Sequence, residues 1–217
     1  MRHIVIPVPD DLTRVRRAPH KAVTERAGLD AILDCARVAH VAFIEEGRPI
    51  NIPVGCARDG DRLLMHGSTG SRFFRLLATG VPVCATITLL DGMVLARSTF
   101  ESSMRYRSAM IFGTASELPA EDKESALRAI SEAWIPGRWD QLRPSHPREL
   151  AATMVLALPL ETWSVKVSAG PPHDEEDDLD APVWAGVVPI RWSWGTPVPA
   201  PDLRSDHPAP QLPPPAF

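Results

Sequence analysis

The stretch from Val38 to His66 constrains this chain more than any other. It reads as three strands joined by two tight turns. Val38 to Ile44 is rich in β-forming residues, and Glu45-Glu46-Gly47-Arg48 turns the chain into a second strand, Pro49 to Ala57. Arg58-Asp59-Gly60-Asp61 is the stronger turn signal, because Asp-Gly tolerates the positive φ that a short hairpin needs. Arg62 to His66 is the third strand. Strands joined this closely form an antiparallel meander.

The remaining pattern extends this theme. Thr24 is placed to cap a helix running to about Arg37, with Leu29, Ile32, Leu33 and Ala36 on one face. Ser71 to Ala78 reads as a short helix. Val83 to Leu90 and Met93 to Arg97 read as a hairpin around Asp91-Gly92. Tyr106 to Glu117 is a long strand interrupted at Gly113, and a helix follows from about Ala120 to Trp134. Thr153 to Leu158 and Thr162 to Val167 are further strands. Strands and helices do not alternate, which excludes a parallel α/β sheet. The expected class is mainly β (α+β), a small barrel or strongly curled sheet with a few flanking helices.

Three segments are expected. Residues 1–20 form a basic arm and residues 21–195 the folded domain. Within that domain, 171–182 is an acidic, Pro-rich loop and 183–190 an apolar docking segment. Residues 196–217 form a Pro-rich tail expected to be disordered. Twelve of the 23 prolines lie in the last 47 residues, and Asp174 to Asp180 carries six acidic groups. Such a stretch buries too little apolar surface to offset its ordering entropy.

Composition narrows the function. The net charge is −4 with 44% hydrophobic residues, so no basic excess points to nucleic acid. The apolar runs are too short to span a bilayer, and no signal peptide is evident. A cytoplasmic protein is expected. Cys35, Cys56 and Cys84 are far apart and lack metal-ligand spacing, so they read as small buried hydrophobes and no metal is expected.

The turn His66-Gly67-Ser68-Thr69-Gly70-Ser71-Arg72 is the clearest candidate site. A strand ends at His66, glycines would let a ligand approach, and Ser68, Thr69 and Ser71 offer hydroxyls. The following helix presents free N–H groups, and Arg72 adds charge suited to phosphate oxygens. An ordinary capped helix after a hairpin reads the same way. Arg107 lies before an apolar strand, beside the chain's one tyrosine, Tyr106, and Ser108. It reads either as part of a solvated strand entrance or as a phosphate or carbonyl partner. Pro53 in mid-strand suggests an edge with backbone groups free for a planar ligand. Lys166 alternates with apolar residues on a late strand, as a surface lysine or a ligand contact. No nucleophile elbow or metalloprotease helix is present.

Taken together, several pieces resemble the pyridoxamine 5′-phosphate oxidase-like proteins with an FMN-binding split barrel. The similar branch is the flavin-nucleotide-binding one, related to nitroimidazole-resistance reductases. The pieces are Ala39–Phe43, Asn51–Val54, Leu64–Arg72, Tyr106–Gly113, Ser164–Lys166 and Trp184–Pro189. The resemblance implies a six-stranded antiparallel split β-barrel. It also implies a homodimer with FMN at the subunit interface and a small-molecule substrate of unknown identity. It places the FMN phosphate on Ser71 and Arg72, with His66 and Ser68 at the same turn. The flavin ring would lie along Asn51, Ile52, Pro53 and Val54. Tyr106, Arg107, Ser108 and Lys166 would contribute from neighbouring strands, and Trp184 from the C-terminal segment. Glu101-Ser102 and Arg105 depart from the branch's pattern, so no catalytic residue is assigned. An FMN-dependent oxidoreductase is the leading expectation. A non-catalytic flavin carrier or sensor is the alternative, as is a haem-binding split barrel using a histidine such as His66.

Overall fold

A computed structural model describes residues 11–204 and 207–214. The first half of the arm, residues 1–10, and residues 205–206 and 215–217 of the tail lie outside the described residues. In chain order the elements are β1 (Ala22–Val23), α1 (Arg26–Cys35), β2 (Val38–Glu45), β3 (Arg48–Asp59), β4 (Arg62–Ser68), α2 (Arg72–Ala78) and β5 (Pro82–Leu95). They continue with β6 (Ser103–Thr114), β7 (Ser116–Glu117), α3 (Lys123–Trp134), α4 (Pro147–Ala152), β8 (Thr153–Pro159), β9 (Thr162–Ser168) and β10 (Gly186–Pro189). The expected class holds: the described residues form a mainly antiparallel sheet with four α-helices, an α+β split barrel whose sheet does not close.

The strand order is β1-β9-β6-β5-β2-β3-β4-β8-β7, with β10 added to β5. Among the described residues ten strands stand where six were expected, partly because β1, β7 and β10 are short additions to the long ones. The meander β2-β3-β4 forms as read, and Gly60 adopts φ +58° in its second turn. Side chains alternate between two apolar layers, as strand geometry requires. Leu63 and Met65 join the main core with Leu29, Ile32, Val41, Ile87 and Ile111. Leu64 faces a second cluster under α3, with Ala126, Ile130 and Val155. The unbroken run Met154–Leu158 serves both layers, which explains its lack of alternation.

Three readings are corrected. Asp91-Gly92 is not a hairpin turn: β5 runs straight through it with a bulge between Leu90 and Gly92. Gly92 is needed there because a Cβ would lie 2.8 Å from the Val188 carbonyl oxygen of β10. The glycine answers a neighbouring strand rather than a turn. The first helix begins at Arg26 after Glu25 as N-cap, so Thr24 is not its cap. Finally, α4 was missed; its signal was Pro147 at the first turn and Glu149, whose carboxylate accepts from the His146 N–H at 2.9 Å. The docking segment lies on the body, with Gly186–Pro189 paired to Gly92–Leu95. Beyond residue 196 the described tail has no helix or strand, and Trp194 Nε1 donates to the Pro213 carbonyl at 2.9 Å. Among the described residues no helix is long and apolar enough to cross a membrane.

Candidate functional site

Two partings of the sheet create the candidate sites. The first lies between β3 and β4. β2 pairs with β3 from Arg48 to Gly55, whereas β4 pairs with it only from Cys56 to Asp59. Beyond that point β4 continues with β8 to Ser68. The edge of β3 from Asn51 to Val54 that faces away from β2 therefore has no strand partner. Pro49 and Pro53 sit in this half, where a missing N–H costs no double-sided ladder. The expected edge is present, with Ile52 and Val54 turned towards the core and Asn51 and Pro53 outward.

On the outer face of this parting, Trp134 of α3 lies over Gly55. A Cβ at Gly55 would lie 2.7 Å from the indole ring, so only glycine admits it. The indole N–H donates to the Cys56 carbonyl at 2.9 Å, and the His66 ring lies 5.9 Å away. Burial pushes the His66 pKa down, and its Nδ1 is buried with no partner. Burial also holds the neighbouring Cys56 thiol protonated, with its pKa pushed up to about 12.

The turn from Ser68 to Arg72 closes the far end of β4. Ser71 caps α2, its hydroxyl accepting from the Phe74 N–H at 3.5 Å. Ser68 Oγ accepts from the Gly70 N–H at 3.1 Å, and Thr69 Oγ1 donates to the Ala152 carbonyl at 3.3 Å. The hydroxyl protons of Ser68 and Ser71 remain for an acceptor outside the turn. The Arg72 and Phe73 amides open the helix and have no acceptor within it. The Arg72 side chain is 73% exposed and pairs with Glu45 at 2.9 Å. One expectation fails here: Gly67 does not make room for a ligand. The Phe74 ring fills that space, 2.3 Å from where a Cβ would stand.

The other expected residues are not brought to this turn. In the strand order, β5, β2 and β3 stand between β6 and β4, the strand that leads into the turn. Tyr106, Arg107 and Ser108 lie on β6, and Lys166 lies opposite Ser108 on β9. Arg107 makes a forked pair with Asp91, the bulge residue, at 2.8 and 2.9 Å. Its guanidinium pKa is raised chiefly by that hydrogen-bonded pair. Trp184 is 65% exposed and folds over Gly186 at the opposite end of β5 from β2.

The second parting lies along β5. β6 covers one edge of β5, so β2 and β10 share the other, at Cys84–Thr86 and Gly92–Leu95. Between them the edge from Ile87 to Leu90 opens into a cleft of about 400 Å³. Cys35, Arg37, Val38 and His40 line one wall, and Trp192, Trp194 and Pro213 cover it. Arg37 Nε is buried without a partner. The sequence reading did not assign His40, Arg37 or the Trp192-x-Trp194 pair to a site. The available signal was His40 on the outward phase of the Val38–Phe43 alternation. A larger concavity of about 700 Å³, between Thr13–Val15 and Thr162–Val165, contains none of the expected residues. No group of three or more His, Cys, Asp or Glu among the described residues is arranged to hold a metal ion.

This open antiparallel split barrel is shared with known proteins. The chain belongs to the pyridoxamine 5′-phosphate oxidase family, whose model matches residues 25–167. It is 46% identical to the FAD- and haem-binding protein from Mycobacterium smegmatis, over 88% of this chain and 94% of that one, with a TM-score of 0.85. It is 39% identical to the flavocytochrome Anf3 from Azotobacter vinelandii, over 94% and 95% of the two chains, with a TM-score of 0.87. A proposed 5-nitroimidazole antibiotic resistance protein from Bacteroides thetaiotaomicron shares the fold, at 23% identity, 67% and 86% coverage and a TM-score of 0.56. No curated protein sequence matches.

Proposed function

We propose that this chain is a redox protein that binds a flavin nucleotide, FAD in preference to FMN, and carries haem as a second prosthetic group. The observation that carries this reading is its similarity, over nearly the full length of both, to an FAD- and haem-binding protein and to a flavocytochrome. When bound, a flavin supplies hydride and single-electron chemistry, and a haem supplies single-electron chemistry.

The residues at the first parting suit a flavin nucleotide. The unpaired β3 edge at Asn51–Val54 offers backbone groups to a planar ring. Ser68, Ser71, Arg72 and the first amides of α2 offer donors to phosphate oxygens. Each charge-assisted hydrogen bond of this kind is worth about 1.5–3 kcal/mol. Haem would be held without covalent attachment, because the sequence lacks Cys-x-x-Cys-His.

The working unit is a homodimer. Ile44, Met93, Leu95, Met104 and Met110 are exposed on the outward phase of β2, β5 and β6. An apolar face of this kind favours a protein partner. Tyr106, Ser108 and Lys166, remote from the turn within one chain, would serve a site completed by the second subunit.

The test is cofactor analysis of the purified full-length chain. Heat release followed by chromatography should yield FAD, and acid–organic extraction should yield haem. FMN alone would overturn the FAD assignment, and no flavin would overturn the flavin reading. Anaerobic addition of NADH or NADPH should bleach the flavin bands. Unchanged bands with both donors would favour the carrier reading over a reductase.

A further inference from the structure

We propose that the cleft along β5 is the haem pocket, with His40 as the protein's ligand to the iron and Arg37 as partner to the haem carboxylates. The assignment rests on the haem half of the function proposed above, and it deepens that half by naming the site.

The cleft has the chemistry of a pocket for a large planar apolar group. Val38 of β2 and Leu90 of β5 give the cleft an aliphatic lining, and Ile87 and Leu89 border it from the core side of the same β5 edge. Trp192 and Trp194 provide aromatic cover, where the chain leaves β10 and crosses the gap. Apolar and aromatic walls with a few placed polar groups are the usual make-up of a cofactor cleft. His40 contributes the only imidazole among the described residues of this lining. It stands on β2, opposite Thr86 of β5 and Pro53 of β3, at the last pairing before β5 parts from β2. A strand in mid-sheet holds a ligand more rigidly than a loop does.

Arg37 supplies the second observation. It lines the same cleft, and its Nε is buried with no acceptor. Its Nη1 donates to the carbonyls of Asp34 and Ala36, which fixes the guanidinium against the end of α1. A buried guanidinium N–H without a partner is costly unless an acceptor is supplied. A haem bears two carboxylates, the group that arginine pairs with best. His66, the histidine singled out from sequence, instead has its ring against Trp134.

The experiment compares full-length wild type, His40→Ala, His66→Ala and Arg37→Gln, all supplied with haem. Haem per chain is read from the Soret band and the pyridine haemochrome, and flavin per chain from the released nucleotide. H40A should lose at least tenfold in haem occupancy with flavin unchanged, and added imidazole should restore a ligated-haem spectrum. H66A should keep its haem. R37Q should bind haem more weakly than wild type but bind the dimethyl ester of haem equally well. Retained flavin in H40A reports that the variant is folded. An H40A that keeps haem with an unchanged spectrum, or that loses flavin and keeps haem, overturns the assignment. A wild type that takes up no haem overturns the haem reading itself.

Discussion

The sheet opens twice, where β4 leaves β3 and where β5 leaves β2, and the two openings are finished in different ways. At the first, the folded body supplies the cover: Trp134 lies over Gly55 and Phe74 fills the space beside Gly67. What remains outward there is polar, namely Ser68, Ser71 and Arg72. At the second, the cover comes from residues that follow the last strand, and the lining is apolar except at Cys35, Arg37, His40, Thr88 and Ser193. One device, a pair of strands that part, thus yields an anion-seeking turn in one place and an apolar slot in another. The difference lies in what later segments of the chain bring to each gap.

The largest effect expected is at the body's own cover. Trp134→Ala removes the ring over Gly55 and the hydrogen bond to Cys56. It should cost about 3–5 kcal/mol in denaturant unfolding. A loss below about 1 kcal/mol would mean that α3 does not close the first opening. Gly67→Ala should follow at about 2–3 kcal/mol, because Phe74 is only 5% exposed and has little room to retreat. A neutral result would return Gly67 to a ligand-contact role.

Arg72→Ala should leave stability nearly unchanged, since the Arg72 side of its pair with Glu45 is 73% exposed. It should weaken FAD by about 1.5 kcal/mol, roughly tenfold, and leave riboflavin binding as it was. Equal loss for both ligands, by titration into the flavin-free protein, would remove the phosphate from this turn. The smallest effect is in pH dependence. Burial lowers the folded-state pKa of His66 below its ordinary 6.5. The unfolded chain therefore binds the proton first as pH falls. Stability should be full above about pH 6.5 and decline below it, and His66→Gln should lessen that decline. Identical pH profiles for the two proteins would show that His66 does not titrate differently on folding.

The sequence disclosed what local physics decides. The meander was legible because alternation and Asp59-Gly60 act over a few residues, and the α2 cap because Ser71 bonds its own helix. The unpaired β3 edge was legible through Pro53. What stayed hidden depends on distant partners. Asp91-Gly92 has turn chemistry, yet β10 claims that glycine from almost a hundred residues away. Arg107 appeared available until the bulge turned Asp91 towards it. His40 looked like one more outward strand residue, because the tryptophans that cover its cleft lie beyond Pro189 in a segment of tail-like composition. Gly67 looked like ligand space because nothing local shows that Phe74 folds back over it.

The division of labour between the two openings is tested most directly by counting both cofactors per chain in the same preparations of wild type, R72A and H40A. R72A should lose flavin and keep haem, and H40A should lose haem and keep flavin. Loss of both cofactors together in either variant, or of neither in both, would contradict the two-site account.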